Sequence, residues 1–328
     1  MRAIGVNAFG GPEALDMLDM PAPEPGAGEV RVKLTLAGLN FIDIYMRSGA
    51  YKKSDTYKTP LPMVLGMEGA GTVDALGEGV EGLASGQRVA WCIHRGSYAE
   101  YAVVPAWKLV PIADDVPDDI ATALQLQGCT AHYLSHSAFP LTEGQSCLVH
   151  AGAGGVGQLL VQLAKARGAI VLTTVGSEDK ADIARARGAD HMILYQQQDF
   201  REEVMRITGG EGVHVVYDAV GRETISRSIR SLRRRGTIIN YGGASGLVEA
   251  VSPLELAEAG SVFFTRPHLA DYMASAQEIR ARTDDLFAHW RAGRLQVAID
   301  RTLPLEAAAE AHRLIEGRGT RGKILLKV

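Results

Sequence analysis

Cysteine is scarce in this 328-residue chain, and its three copies are scattered: Cys92, Cys129 and Cys147 form no Cys-x-x-Cys pair. Such spacing supports neither a disulfide framework nor a structural zinc site, and it fits a reducing, cytoplasmic compartment. Long apolar runs are also missing. No stretch of about 18 uninterrupted apolar residues occurs, which argues against a membrane-spanning helix. The opening MRAIGVNAFGG has no apolar core of signal-peptide length. Nor is there an excess of one charge. With 34 basic residues against 38 acidic ones, no global field directs the chain to nucleic acid or an anionic membrane. The densest basic run is RSIRSLRRRG, with Arg227, Arg230, Arg233, Arg234 and Arg235. It reads as the wet face of a helix, with an RNA-binding patch as the rival reading.

What is present points to two domains, since 328 residues exceed one ordinary core and 46% of them are apolar. The first 120 or so residues read as short strands separated by Gly and Pro, with EVRVKLTLAG alternating at period two. After ADDVPDDIATALQL the rhythm changes. Apolar runs now alternate with helical stretches: CLVHA, AIVLTTV, HMILY, VHVVYDAV, TIINYGG and GSVFFTR, with segments such as GQLLVQLAKARG between them. Strand–helix alternation with doubly apolar strands predicts an α/β, doubly wound parallel sheet of six strands. The boundaries expected are 1–124 for a mostly β first part, 125–266 for the α/β domain and 267–328 for a tail that folds back onto the first part.

HAGAGGVGQ, residues 150–158, lies at the start of the α/β region. Gly152, Gly154 and Gly157 have the G-x-G-x-x-G spacing, with Gly155 and Val156 between. A lone match is weak, but here the strand SCLVHA enters the loop and the amphipathic VGQLLVQLAKARG leaves it. The glycines would allow a tight turn, close backbone approach to a pyrophosphate and packing of helix on strand, while the helix N-terminus faces the phosphates. The second strand, IVLTTV, ends at Val175 without a carboxylate for a ribose 2′-hydroxyl. Gly176, Ser177 and Lys180 follow it, and a hydroxyl with an ammonium suits a 2′-phosphate, so NADPH is the expected cofactor. Glu178 and Asp179 are expected to face solvent. His150 reads as a buried, satisfied residue. His132 and His136, spaced i, i+4, lack the acidic neighbour of a zincin and read as structural, as does His94 two residues after Cys92.

Together with the glycine loop, LAGLNFIDIYMRSGAY and LGMEGAGTVDALGEGV resemble the medium-chain dehydrogenase/reductase family. Its zinc-dependent members place Cys where this chain has Asn40 and His where it has Met67. They also insert a four-cysteine lobe where GQRVAW runs here directly into CIHRGSYAEY. Cys129 falls about three positions from the third ligand's place, so the expectation is no catalytic and no structural metal. NFIDIYMRSGAY, LQLQGCTAHYL, HAGAGGVG, YDAVGRETISRSIRSLRRRG and GSVFFTRP narrow the resemblance to the zinc-independent quinone oxidoreductases, over residues 2 to 328. It implies a GroES-like catalytic domain beside a six-stranded Rossmann sheet, with the cofactor in the crevice between them.

The resemblance also assigns roles. Asn40 and Thr130 would lie beside the nicotinamide and its ribose, and Tyr45 and Tyr51 in the substrate pocket. There the phenols would orient a quinone oxygen or deliver the proton, with solvent as the other proton source. Asp43 and Arg47 would form an ion pair fixing that loop. Tyr195 would stand near the adenosine 2′-phosphate. Tyr241, Gly242, Phe264 and Thr265 would close the cofactor site at later strand ends, and Arg318 would either reach the cofactor or remain solvated. The last strand of the sheet would pair two copies into a homodimer.

Zinc stabilises an alkoxide as a Lewis acid. A site without it favours acceptors that spread the incoming charge themselves. The expected activity is therefore NADPH-dependent reduction of a quinone. The alternative is reduction of activated alkenes such as enals, enones or 2-haloacrylates. A third reading is a non-catalytic NADPH- or RNA-binding relative, and no membrane or nucleic-acid partner is expected under the first two.

Overall fold

In the computed structural model, which describes residues 1–58 and 60–328, the chain begins with β1 (Arg2–Val6) and its antiparallel neighbour β2 (Asp16–Asp19). The alternating EVRVKLTLAGL becomes the long β3 (Glu29–Leu39), burying Val30, Val32 and Leu34 on one face. A short helix, α1 (Phe41–Arg47), follows, then β4 (Met63–Val64), β5 (Glu68–Leu76), β6 (Arg88–Cys92), β7 (Tyr101–Pro105), β8 (Val110–Pro111) and α2 (Asp118–Ala123). The helical path continues through a wide, π-type turn at Leu124–Gly128 into α3 (Cys129–Tyr133).

The α/β region then runs through β9 (Ser146–His150), α4 (Gly155–Ala166), β10 (Ile170–Val175), α5 (Glu178–Ala186), β11 (His191–Leu194), α6 (Phe200–Ile207) and β12 (Val213–Asp218). It continues with α7 (Ile225–Ile229), β13 (Leu232–Asn240), α8 (Pro253–Glu258) and β14 (Phe263–Thr265). The chain ends with α9 (Ala276–Arg291), β15 (Ile299–Pro304), α10 (Ala308–Glu316) and β16 (Lys323–Lys327). Among the described residues, no helix is long and apolar enough to cross a membrane.

Two compact units result. One comprises Met1–Gly128, Met273–Phe287 and Ile299–Val328; the other comprises Cys129–Tyr272 and Ala288–Ala298. In the first, a seven-stranded sheet has the order β15-β16-β3-β5-β6-β8, with β7 also paired to β3. Its core gathers Val30, Val32 and Leu34 with Trp91, Tyr98, Leu305 and Leu326. Each such side chain contributes about 1.5–3 kcal/mol of burial.

The second unit holds the six parallel strands expected, in the order β11-β10-β9-β12-β13-β14. Counted from β9, this is the 3-2-1-4-5-6 order of dinucleotide-binding sheets, whose switch point lies between β9 and β12.

The basic run behaves differently from the helix expected for it. Helix α7 ends at Ile229, and Leu232 opens β13 in parallel register with Val213. Arg233, Arg234 and Arg235 are therefore exposed at the start of a strand, and Arg235 takes a left-handed φ of 57°. Leu232 and residues 237–240 pair in parallel with β12, and that pairing outweighs helix propensity there. Arg227 and Arg230 pair with Asp199 and Glu255, at 3.1 and 3.8 Å.

Candidate active site

In the second unit, β9 stops at His150 and α4 starts at Gly155, with Gly154 as its N-cap. Space, rather than backbone freedom, requires the glycines. A Cβ on Gly152 would collide with the Thr173 side chain, and one on Gly157 with the Ala151 carbonyl. The left-handed residue of the loop is Ala151, with φ 57°. The sharp turn assigned to the first glycine is thus made one residue earlier. Gly154, Gly155 and Val156 remain partly exposed at the helix start, where backbone N–H groups and the helix dipole favour an anion. These partly exposed amides at the start of a twelve-residue helix fit a pyrophosphate.

The end of β10 carries the second feature. Val175 is buried and accepts a hydrogen bond from the Tyr195 amide at 3.2 Å, which draws the Tyr195 ring to the turn. The Tyr195 hydroxyl lies 3.0 Å from where a Cβ on Gly176 would sit. Ser177 occupies the N-cap of α5, and Lys180 is half-buried one turn further on. Glu178 and Asp179 are exposed, as expected. Gly176, Ser177 and Tyr195 thus meet at one corner.

At the next strand ends, the amides of Tyr241 and Gly242 both donate to the Asp218 carbonyl, at 2.9 and 3.3 Å. A Cβ on Gly242 would lie 2.5 Å from the Ala219 carbonyl oxygen, so the turns after β12 and β13 are laced together. Phe264 and Thr265, both half-buried, run in register beside Ile238 and Ile239. Arg266 donates to the Asn240 carbonyl at 2.8 Å, a tie the sequence did not announce. Thr130 is buried in α3. His132 and His136 stack with ring centroids 4.2 Å apart.

In the first unit, Asn40 caps α1, but its side chain turns inward. Its Nδ2 donates to the Gly38 carbonyl at 3.2 Å and to Glu68 Oε2 at 2.9 Å, while its Oδ1 accepts from Lys323 Nζ at 2.8 Å. Lys323 also pairs directly with Glu68, and both are essentially inaccessible to solvent. Glu68 Oε1 accepts the Leu126 amide at 2.5 Å, tying the ring to the π-type turn. A Cβ on Gly38 would collide with Glu68. Glu68 and Lys323 were missed in sequence. The first stands beside Met67 in GMEG and the second in GKILLKV, 255 residues apart, and no local pattern links them.

The expected Asp43–Arg47 pair is not formed. Asp43 instead turns back to accept the Asn40 amide at 2.8 Å, and burial pushes its carboxyl up to about 7. Arg47 reaches Glu316 of α10 at 2.7 Å and His312 Nδ1 at 3.0 Å. Positions i and i+4 share a helix face, but here one side chain caps the helix start and the other is drawn to a second carboxylate. Burial, reinforced by Arg47, pushes His312 down to about 3. His312 Nε2 in turn lies 3.3 Å from the Tyr98 hydroxyl.

Outside this polar cluster runs an aromatic row. Phe41 and Tyr45 have ring centroids 6.1 Å apart, Tyr45 and Tyr51 5.2 Å, and Tyr51 and Tyr57 5.2 Å. Tyr45 and Tyr51 are thus brought together, edge to face. Phe41 and Tyr57, at the two ends, were not singled out in sequence. Arg318 lies exposed after α10, at a left-handed φ of 57°.

Two family models match the chain: the alcohol dehydrogenase GroES-like domain over residues 26–114 and the zinc-binding dehydrogenase over 155–286. A 2-haloacrylate reductase of Burkholderia sp is 40% identical over 99% of this chain and 98% of its own length. A quinone oxidoreductase of Pseudomonas aeruginosa is 39% identical over 99% of each. Among solved structures, Escherichia coli quinone oxidoreductase complexed with NADPH superposes with a TM-score of 0.95 at 35% identity, covering 100% of both chains. A mycobacterial protein complexed with NADPH gives 0.95 at 41% identity over 100% of both chains. With the strand order, the glycine cradle and relatives of this similarity over its whole length, the chain belongs to the medium-chain dehydrogenase/reductase family of oxidoreductases, in its quinone oxidoreductase branch.

Proposed function

We propose that the protein is an NADPH-dependent quinone oxidoreductase that transfers hydride without zinc. The glycine cradle suits the pyrophosphate. The corner of Gly176, Ser177 and Tyr195, with Lys180 on the following turn, suits a 2′-phosphate, because it offers hydroxyls and an ammonium and no carboxylate at the strand end. When bound, NADPH supplies the hydride. The chain's own residues hold the acceptor. Tyr45 and Tyr51 offer π-faces to a planar ring and phenols that orient its oxygen, beside the Asn40 cap of α1. Proton delivery by a phenol or by solvent is compatible with this arrangement.

One observation carries the assignment: the ring of Asn40, Glu68 and Lys323. At the two positions where zinc-dependent members carry Cys and His, this chain has a carboxamide already engaged by an ammonium and a buried thioether, Met67. Neither is a ligand of the kind zinc selects. The acceptor must then delocalise the incoming charge itself, as a quinone does.

Activated alkenes are the second reading, supported by the 2-haloacrylate reductase, which is as similar to this chain as the quinone oxidoreductases are. A second copy of the chain along β14 belongs to the same proposal, since Phe263 stands 63% exposed on that strand at the open edge of the sheet. The three buried cysteines suit a reducing cytoplasm.

The test is NADPH oxidation against benzoquinones, naphthoquinones, enals and 2-haloacrylates. Highest kcat/KM on a quinone supports the first reading, and on an alkene the second. Turnover of plain alcohols that requires added zinc overturns both.

A further inference from the structure

We infer that a proton-ordered chain of side chains, Asp218–Ser228–His150–Thr174, holds Ala151 in its left-handed conformation and thereby sets how tightly the glycine loop grips NADPH. The inference rests on the reading of that loop as the NADPH site.

The order of protons follows from the donors available. Asp218 is fully buried at the end of β12, and its carboxylate acts only as an acceptor. Its Oδ1 takes the amides of Val220 and Gly221 at 2.8 and 2.9 Å, and its Oδ2 takes the Ser228 hydroxyl at 2.8 Å. The Thr224 hydroxyl lies 2.9 and 2.8 Å from the two oxygens. Ser228 has one proton, and it is committed to Asp218. Ser228 Oγ therefore accepts from His150 Nε2, 2.9 Å away, so Nε2 carries the imidazole proton. Burial pushes His150 down, which keeps it neutral and leaves Nδ1 bare. That nitrogen then accepts the Thr174 hydroxyl at 2.9 Å, and with its proton committed, Thr174 Oγ1 accepts the Ala151 amide at 3.3 Å.

Around the imidazole stand Asp218 from β12, Ser228 and Arg227 from α7, Thr174 from β10 and, edge-on at 4.8 Å, the Phe200 ring of α6. Every polar position on the imidazole is used, and the chain runs from the sheet's switch point to the first residue of the loop.

Ala151 needs such support. A left-handed φ is disfavoured for a residue that carries a Cβ. The orientation of Ala151 also fixes its neighbours: its carbonyl accepts the Gly154 amide at 2.9 Å and lies where a Cβ on Gly157 would sit. Released from Thr174, Ala151 would turn toward an ordinary φ, and the N–H groups at the helix start would lose their common direction. Thr174 and His150 are thus positioning residues that act through Ala151.

Two measurements test this. In the unaltered protein, long-range 1H–15N correlation of the His150 imidazole should show the Nε2–H tautomer at neutral pH. A proton on Nδ1, or on both nitrogens, overturns the inference without any variant being made. For binding, Thr174→Val keeps the strand's shape but removes the hydroxyl, and Thr174→Ser restores it. The valine variant should bind NADPH about tenfold more weakly by titration calorimetry, and the serine variant should come within about twofold of the parent. Unchanged NADPH affinity in the valine variant overturns the inference, even with a lowered melting temperature. So does a serine variant as weak as the valine one. If the parent protein binds no NADPH, the cofactor reading falls and this inference with it. That case is told apart because the tautomer and the parent affinity are read separately.

Discussion

The two units surround their candidate sites with buried polar groups of opposite character. In the first, these groups are ion pairs, Lys323 against Glu68 and Arg47 against the more exposed Glu316, with Asp43 buried beside them and held toward its protonated form. In the second, a single carboxylate, Asp218, orders hydroxyls and one neutral imidazole. Desolvating an ion costs several kcal/mol, recovered only while its partner stays in place. A neutral hydrogen bond contributes about 1 kcal/mol. The charged unit is therefore rigid but intolerant of losing one member, whereas the hydroxyl chain gives way gradually. The same physical task, fixing a turn beside a ligand, has been met by two schemes with different vulnerabilities.

The largest effect expected lies in the charged unit. Lys323→Met should cost about 3–5 kcal/mol in denaturant unfolding, because it strands the Glu68 carboxylate in a dry site. Adding Glu68→Gln should recover part of that loss, because the carboxamide removes the stranded charge and still accepts the Leu126 amide. Thr174→Val in the other unit should cost less, about 1–3 kcal/mol, because it orphans neutral groups and no charge. Equal losses from the two single variants would break the contrast.

Next comes pH. Asp43 is held up at about 7 against an ordinary 3.8, so the folded state binds an extra proton between those values. Its contribution to stability is present below pH 3.8 and is lost as pH rises through about 7. His312 is held down at about 3 against an ordinary 6.5, so the unfolded state binds the extra proton. Its contribution is present above pH 6.5 and is lost as pH falls through about 3. The slopes oppose each other from about pH 4 to 6.5, each at most about 1.4 kcal/mol per pH unit. In thermal melts across that window, Asp43→Asn should leave stability rising with pH, and His312→Gln should leave it falling. Parallel profiles for the two variants would show that these groups do not titrate as their burial dictates.

The smallest effect sharpens the cofactor side. Lys180→Ala should raise KM for NADPH about fivefold, roughly 1 kcal/mol for a half-exposed ion pair. KM for NADH should change by less than twofold. Equal changes would remove Lys180 from 2′-phosphate recognition.

Much of the second unit was legible in sequence because its signals are local. Six apolar runs, each closed by Gly or a polar turn, became six strands, while their spatial order, which places the glycine loop at the switch point, came from the structure. Legibility failed where distant residues outbid local preference. RSLRRRG has the composition of a helix face, yet Leu232 pairs with Val213 of β12 and the three arginines lie in a strand. Asp43 and Arg47 have helical spacing for a pair, yet Arg47 finds Glu316, 269 residues away. Tyr45 and Tyr51 were visible as a pair, but the row they belong to closes only when Tyr57 stacks on Tyr51.

By itself, the sequence determined the strand–helix alternation and the glycine loop. Short-range periodicity and steric need suffice to specify these. Only the tertiary structure decided which buried charges meet, because Glu68 and Lys323 lie on strands that come together through β3 and carry no mark of each other. It alone showed that Ala151, rather than a glycine, takes the left-handed turn, with its amide donating to Thr174 of the neighbouring strand.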